Sequence, residues 1–233
     1  MAEIAGWFTT STGQHIPYMK GQSKAEAAQK YINSKHGKDV ARLSSKTTKK
    51  EYKDYYAGEK AIGSFHSDNP DIDYENVVNT RDKKDAVRQY TAGDYDNINN
   101  YLKGNGDFTE GQKATFNDTI KQMDSCFTGK TQNDFYTYRG IAIDKNNINV
   151  GDIITNKGYT STSISKFIAD DFSEYYKGTT IQIKVNKGTK ALFIGPHSGS
   201  SFNEEELLFA RGASIKITGK DSNGVYGEIY YEK

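Results

Sequence analysis

A single cysteine, Cys126, stands in a chain of 233 residues. One thiol excludes an internal disulfide framework and any cysteine-built zinc cluster. Histidine is also scarce. His15, His36, His66 and His197 are scattered, with no pair at helical ligand spacing, so no metal site is expected. Net charge is nearly absent, because 31 Lys and Arg against 30 Asp and Glu leave +1. With basic and acidic residues interspersed, no global field draws the chain to nucleic acid or to a membrane surface. No apolar run approaches the roughly 20 residues that span a bilayer. The segment MAEIAGWFTT lacks the basic and apolar regions of a signal peptide. The expectation is a soluble protein, secreted or delivered into a host cell without a visible export segment. What is present is length enough to bury a core, with 17 Tyr, 22 Gly and only 3 Pro at a mean hydropathy of -0.80. That describes a polar, tyrosine-rich protein and selects no function.

Taken in order, residues 1–75 read as an N-terminal extension. GWFTTSTGQHIPYM carries strand-forming residues broken by Gly13 and Pro17, a hairpin pattern. Ser23 then caps KAEAAQKYINSK, a helix of about three turns, against which Trp7 and Phe8 are placed to pack. A Lys- and Tyr-rich stretch, KTTKKEYKDYY, follows, and HSDNPDID (66–73) reads as a loop and the domain boundary. Residues 76–233 form the second domain. Residues 82–105 are helical with a break near Ala92-Gly93, their buried faces marked by Ala86, Val87 and Tyr90 and then by Tyr95, Ile98 and Leu102. Thr109 and Gln112 have capping-box spacing, and Phe116, Ile120, Met123 and Phe127 form a stripe at helical period. After Asn133 the pattern turns to strands: FYTYRGIAI, GYTSTSIS, TIQIKVN, KALFIG, ELLFARG, SIKITG and VYGEIYYE. One short helix, KFIADDFSEYY, interrupts them with Ile168 and Phe172 inward. The fold class is α+β, a helical N-terminal half packed on a mostly antiparallel, two-sheet β core.

Three stretches carry chemistry-bearing residues. In FNEEELL (202–208), carboxylates lead into a buried strand, and alternation along that strand puts Glu204 and Glu206 on one side. Paired carboxylates raise one another's pKa, an arrangement used in acid/base chemistry, although a solvated acidic turn has the same spelling. In YTYRG (136–140), Arg139 has the planar fork suited to a diphosphate; it is equally the type for a buried ion pair. In GYTSTSIS (158–165), Ser161 can donate to a carboxylate on a neighbouring strand, while Ser-Thr-Ser is also plain strand sequence. Gly129-Lys130-Thr131 looks like the end of a phosphate loop, but no Gly-rich turn precedes it.

In this order, aromatic-Arg, Ser-Thr-Ser and Glu-x-Glu before an apolar strand, the chain resembles the mono-ADP-ribosyltransferases of the bacterial toxin type. The likeness is closest to the branch of binary actin-modifying toxins such as iota toxin. A fourth segment, QYTAGDYDNINNYL (89–102), is similar to the family helix lining the NAD cleft. The resemblance covers about residues 80 to 233. It implies NAD as substrate, no metal, release of nicotinamide, and a target protein with an exposed arginine, actin or another host protein. Glu206, which precedes LLFARG, is implied as the catalytic carboxylate and Glu204 as the group receiving the acceptor. Arg139 with Gly140 would hold the phosphates. Ser161, with Thr162 and Ser163, would hold Glu206 and the cofactor. Tyr90, Tyr95 and Asn99 are implied NAD contacts, and Phe172 would stack on nicotinamide. Phe202 is the loop aromatic for the protein substrate, although it lies two residues before the first Glu instead of the family's three. Glu at position 204 goes with arginine acceptors in this family. Two alternatives stand beside this reading. One is an NAD glycohydrolase with water as acceptor. The other is a non-catalytic module of a larger phage or secreted protein, docked through the N-terminal extension.

Overall fold

The computed structural model describes residues 4–9, 15–19, 52–55, 61–195, 197–199 and 204–231. Ser23 with the helix expected after it, most of the Lys-rich stretch, and Phe202 lie outside the described residues. The chain divides into two compact units, Met1–Lys50 and Glu51–Lys233. In the first, β1 (Ile4–Thr9) and β2 (His15–Met19) pair antiparallel, the expected hairpin. The second unit begins at Glu51, not near residue 75, because Tyr55, Phe65 and Ile72 are buried in its core.

The helices come first. HSDNPDID is not the expected loop: α1 (Ala61–Asp68) runs into it, and a short 3-10 turn follows at Pro70–Ile72. Next is α2 (Tyr74–Val77), whose N-cap Asp73 accepts from the Glu75 amide at 3.0 Å. Thr80 caps α3 (Arg81–Gln89), and α4 (Tyr95–Lys103) ends on Gly104 in the left-handed region at φ 77°, where glycine carries no Cβ penalty. The break between α3 and α4 is a π-type turn, Tyr90–Asp94, made by Gly93 at φ 147°. The long helix α5 (Glu110–Asp124) opens with the expected Thr109/Gln112 capping box. Phe116, Ile120, Met123 and Phe127 are buried with Val87, Tyr90 and Ile98 in one cluster.

Eight strands follow: β3 (Phe135–Ile141), β4 (Ile153–Ile154), β5 (Thr160–Ser163), β6 (Thr179–Val185), β7 (Ala191–Gly195), β8 (Glu206–Phe209), β9 (Ala213–Lys220) and β10 (Val225–Tyr231). Helix α6 (Lys166–Tyr175) lies between β5 and β6. The strands join in one sheet of order β4-β9-β10-β6-β3-β5-β8-β7, all antiparallel except β10 with β6. This corrects the expected two sheets, and the reason is visible in the register. β3 touches β5 through a single pair, Tyr138 with Ser163, whereas β3 pairs with β6 along its whole length. The halves are nearly separate sheets held by one seam. β6 alternates, with Ile181, Ile183 and Val185 buried, while β7 and β8 are buried throughout. Phe193, Leu207 and Phe209 enter one core cluster, and Leu192, Ile194 and Leu208 enter the helical one. An unbroken apolar run is what a strand covered on both faces requires.

Candidate active site

Where β3 and β5 part, a cleft of about 600 Å³ opens. The turn 90–94 and α4 form one wall, α6 another, and the strands with the residues before β8 form the floor. Tyr90, Tyr95, Asn99, Arg139, Gly140, Ser161, Thr162, Ser163, Phe172, Glu204 and Glu206 all line it. Residues as far as 116 positions apart in sequence, Tyr90 and Glu206, thus meet at the seam of the sheet.

Glu206 opens β8, in register with Ser163 of β5 and Gly195 of β7, and is only 5% exposed. Burial pushes its carboxyl from an ordinary 4.5 up to about 7. The Glu204 charge acts in the same direction, while the Ser161 hydroxyl that donates to it and the Arg139 guanidinium oppose the rise. Glu204 reaches the same cleft by a different route from the one expected. The strand begins only at Glu206, and Glu205 sits in the left-handed region at φ 46°, uncommon for a residue with a side chain. The two carboxylates converge through a backbone turn at Glu205, not through strand alternation. Ser163 secures that turn: its Oγ donates to the Glu204 carbonyl at 2.8 Å and accepts from the Ser165 amide at 3.0 Å.

Arg139 spans the parting strands, its Nη1 donating to the Ser161 carbonyl. Burial pulls it below the usual guanidinium range, opposed by the charges of Tyr90 and Glu206; it remains a cation at any ordinary pH. Behind it the seam is closed by Thr137, whose Oγ lies 2.8 Å from both Thr162 Oγ and the Ser163 carbonyl. Thr162 Oγ also donates to the Leu207 carbonyl at 2.9 Å. Gly140 is required by close approach. A Cβ there would meet the Ala169 carbonyl oxygen at 2.4 Å and the Ser173 amide at 2.6 Å. Helix α6 therefore rests Ala169 and Ser173 on the strand. That contact corrects the expected inward face of α6: Phe172 is 40% exposed and turned to the cleft.

On the helical wall, Asn99 ties three segments together. Its Nδ2 donates to Tyr90 Oη at 2.9 Å, and its Oδ1 accepts from the Tyr159 amide at 3.1 Å. Tyr90 is buried, which pushes its phenol up. Tyr95, expected on the buried face of α4, is instead 46% exposed, because the turn at Gly93 rotates α4 and leaves Ile98 as its buried residue. Several lining residues were not foreseen. Thr91 Oγ accepts from the Gly199 amide at 2.6 Å, holding the segment after β7 against the turn. Tyr176 lines the cleft beside Phe172; the Tyr175-Tyr176 doublet at the helix end was its one signal. Tyr159 donates to Asp124 Oδ1 at 2.8 Å, and Arg211 Nε donates to the same oxygen at 2.9 Å. Arg211, in the Arg-Gly after β8, thereby ties the end of that strand to the end of α5. Among the described residues, no group of three or more His, Cys, Asp or Glu comes together to hold a metal, and no helix is long and apolar enough to cross a membrane.

The family model for the ADP-ribosyltransferase exoenzyme matches residues 46–228. A Vibrio splendidus protein named as a candidate NAD(+)–arginine ADP-ribosyltransferase, Vis, is 26% identical over 151 residues, 60% of this chain; the chain spans 59% of that relative's length. Among solved structures, C3stau2 of S. aureus with NAD superposes at a TM-score of 0.57 with 16% identity, over 78% of this chain and all of that one. Vis in complex with agmatine superposes at 0.52 with 22% identity, over 86% of this chain and 87% of the other. These structural likenesses show the fold.

Proposed function

The chain belongs to the ADP-ribosyltransferase exoenzyme family, and from that premise we propose that it moves ADP-ribose from NAD to an arginine side chain of a target protein, releasing nicotinamide. One observation carries this reading: Glu206, Glu204, Ser161 and Arg139 line a single cleft, with the Ser161 hydroxyl on the Glu206 carboxyl. The cleft's volume and its mixed polar and aromatic lining fit a dinucleotide, and Arg139 offers paired N–H donors for its diphosphate. The bond broken joins the ribose C1′ to the cationic nicotinamide nitrogen, and its electron pair leaves with the ring. The ribose becomes oxocarbenium-like, as in glycoside hydrolysis. Glu206, as carboxylate, stabilises that charge and accepts from the ribose 2′-hydroxyl. Ser161 holds Glu206 in place, and Arg139 fixes the phosphates so that C1′ faces the carboxylate. Phe172 and Tyr90 offer aromatic faces to the nicotinamide end. A guanidine nitrogen of the acceptor then bonds to C1′, and its proton passes to Glu204.

Arginine as acceptor is supported by the retained Glu204 and by the relative Vis, named for NAD and arginine and solved with agmatine. The presence of Glu204 in the cleft weighs against an NAD glycohydrolase. The convergence of all four residues weighs against a non-catalytic module. Actin is one target of the required chemistry. Delivery into a host cell, as a toxin or phage effector, and a docking role for the N-terminal unit, Met1–Lys50, belong to the same reading. The test is nicotinamide release and agmatine labelling side by side. Wild type is expected to do both. Glu206→Ala should lose both by about a hundredfold or more, roughly 2.7 kcal/mol of transition-state stabilisation. Glu204→Ala should keep nicotinamide release into water and lose agmatine labelling. Labelling that survives in Glu204→Ala sinks the acceptor role, and absence of turnover in wild type sinks the reaction.

A further inference from the structure

Helix α6 breaks the rule for a surface helix. Ala169 and Ser173 form its buried row. Residues 168, 172 and 176 form the next row, one position back around the axis, and all three line the cleft. The row after that, residues 167, 171 and 175, points nearly opposite to the sheet, where polar residues belong. Instead Phe167 is 66% exposed and Tyr175 80% exposed, beside Tyr176 at 52%. The rings of Tyr175 and Tyr176 pack edge to face at 4.9 Å. Across the cleft mouth stands Tyr95, close enough to Tyr176 and Glu204 to feel both electrostatically. Large exposed apolar groups gathered in one place mark an interaction surface.

The surrounding charge says what fits. Asp96, exposed, and Glu204, half-buried, line the cleft, Asp171 and Glu174 are exposed on α6 itself, and half-buried Glu205 is next to Glu204 in the chain. The cations nearby are Lys166, already paired with Asp170, Lys177 after the helix, and Lys103 on the α4 wall of the cleft, outnumbered by those carboxylates. An acidic rim carrying flat aromatic rings suits guanidinium and ammonium groups, which stack on Tyr and Phe and pair with carboxylates. Resting on the reaction proposed above, we infer that the outer face of α6, Phe167 and Tyr175 continuing from the cleft edge at Tyr176, is the docking ledge for a basic segment of the target protein that flanks the modified arginine. Continuity with the acceptor end of the cleft assigns the face to the target. The enzyme then selects an arginine by its cationic neighbours and does not take any exposed arginine.

The test uses the full chain, wild type and the double variant Phe167→Ser/Tyr175→Ser; both side chains are exposed and outside the cleft. Three acceptors are compared: agmatine, a peptide with one arginine flanked by lysines and leucines, and its counterpart with glutamates for the lysines. Peptide binding is read by fluorescence anisotropy, so the ledge is tested whether or not transfer occurs. The expected result is preference of wild type for the lysine-flanked peptide. The variant should lose about tenfold in affinity and in kcat/KM for that peptide, carried by KM, as for loss of aromatic anchors. Agmatine labelling and nicotinamide release should be unchanged in the variant. Equal binding of both peptides by wild type, or equal binding of the lysine-flanked peptide by wild type and variant, overturns the ledge. A chain that is dimeric in wild type, monomeric in the variant and indifferent to both peptides assigns the face to a second copy and also overturns it. Failure of agmatine labelling in wild type with peptide binding intact strikes the reaction and leaves the ledge standing.

Discussion

Replacing Glu206 by glutamine should make the protein more stable as pH rises, and the structure sets the size of the effect. In the unfolded chain this carboxyl has its ordinary pKa of 4.5, and in the fold burial lifts it to about 7. Between those values the folded state keeps a proton that the unfolded state has lost. Stability therefore falls with pH, by about 1.36 kcal/mol per unit. The group's contribution is fully present below pH 4.5, is lost as pH rises through about 7, and does not change further above it. The interval of roughly 2.5 units amounts to about 3 kcal/mol. Glutamine has nearly the same shape and no charge, so Glu206→Gln escapes the loss. The difference in unfolding free energy between variant and wild type should grow by about 3 kcal/mol from about pH 4 to about pH 8.5. For a unit of this size that is roughly 6–12 °C in Tm. The assay is urea or thermal unfolding across that range without NAD, because a ligand that binds only the folded state would add its own stabilisation. A difference that stays flat with pH refutes the reasoning, since it would mean that Glu206 has no raised pKa and pays no desolvation cost in the free enzyme.

Gly140→Ala should cost about 1–3 kcal/mol by overpacking, because the new methyl has no room between β3 and α6; a urea midpoint unchanged from wild type would contradict the close approach. The same substitution should raise KM for NAD, since α6 carries Phe172 and Tyr176 in the cleft wall. Asn99→Leu should cost about 1–3 kcal/mol by leaving the Tyr159 amide without its acceptor in a buried setting. It should also free Tyr90, so NAD affinity measured by calorimetry is expected to fall together with stability, and retention of both would remove Asn99 from the cleft's framework.

The β half was legible because each strand carries its own signal. The alternation of Ile181, Ile183 and Val185 and the unbroken LLF of β8 report their surroundings directly, as do the capping box at Thr109 and the break at Gly93. Helix α1 carried no such signal. Its sequence, AIGSFHSD, has Gly63 inside and little periodicity, and Phe65 supplies what propensity does not. That ring is fully buried, with centroids 5.1 Å from Phe135 and 4.6 Å from Phe193. Tertiary packing decided the helix, and neither partner is near it in sequence. The joining of two sheets into one was illegible for a related reason: it depends on one register pair, Tyr138 with Ser163. The residues of the site were legible as types in order. Their faces were not, because periodicity marks Tyr95 and Phe172 as apolar positions without saying whether core or cleft covers them.

The departures from local rules gather around the cleft. The two non-glycine residues with positive φ among those described are Glu205 and Lys177. One sets the angle between Glu204 and Glu206, and the other follows the cleft residue Tyr176. Glu206 is a buried carboxyl raised by desolvation, and the exposed aromatics of α6 stand on the same rim. Elsewhere in the second unit, the alternation of β6 and the capping box of α5 follow local pattern, with α1 and the buried Thr179 hydroxyl as exceptions. A turn at Glu205 lets a strand deliver two carboxylates to one pocket, which extended backbone does only by placing them two positions along the same face. The Glu204 charge raises Glu206 further toward neutrality, and the cationic nicotinamide of NAD would lower it again when bound. The strain and the desolvation thus fall on the state without substrate, and binding relieves the electrostatic part of that load. Local violations that gather in one place, and that the cationic nicotinamide ring of NAD would relieve, are what a site shaped for binding and chemistry leaves in a fold.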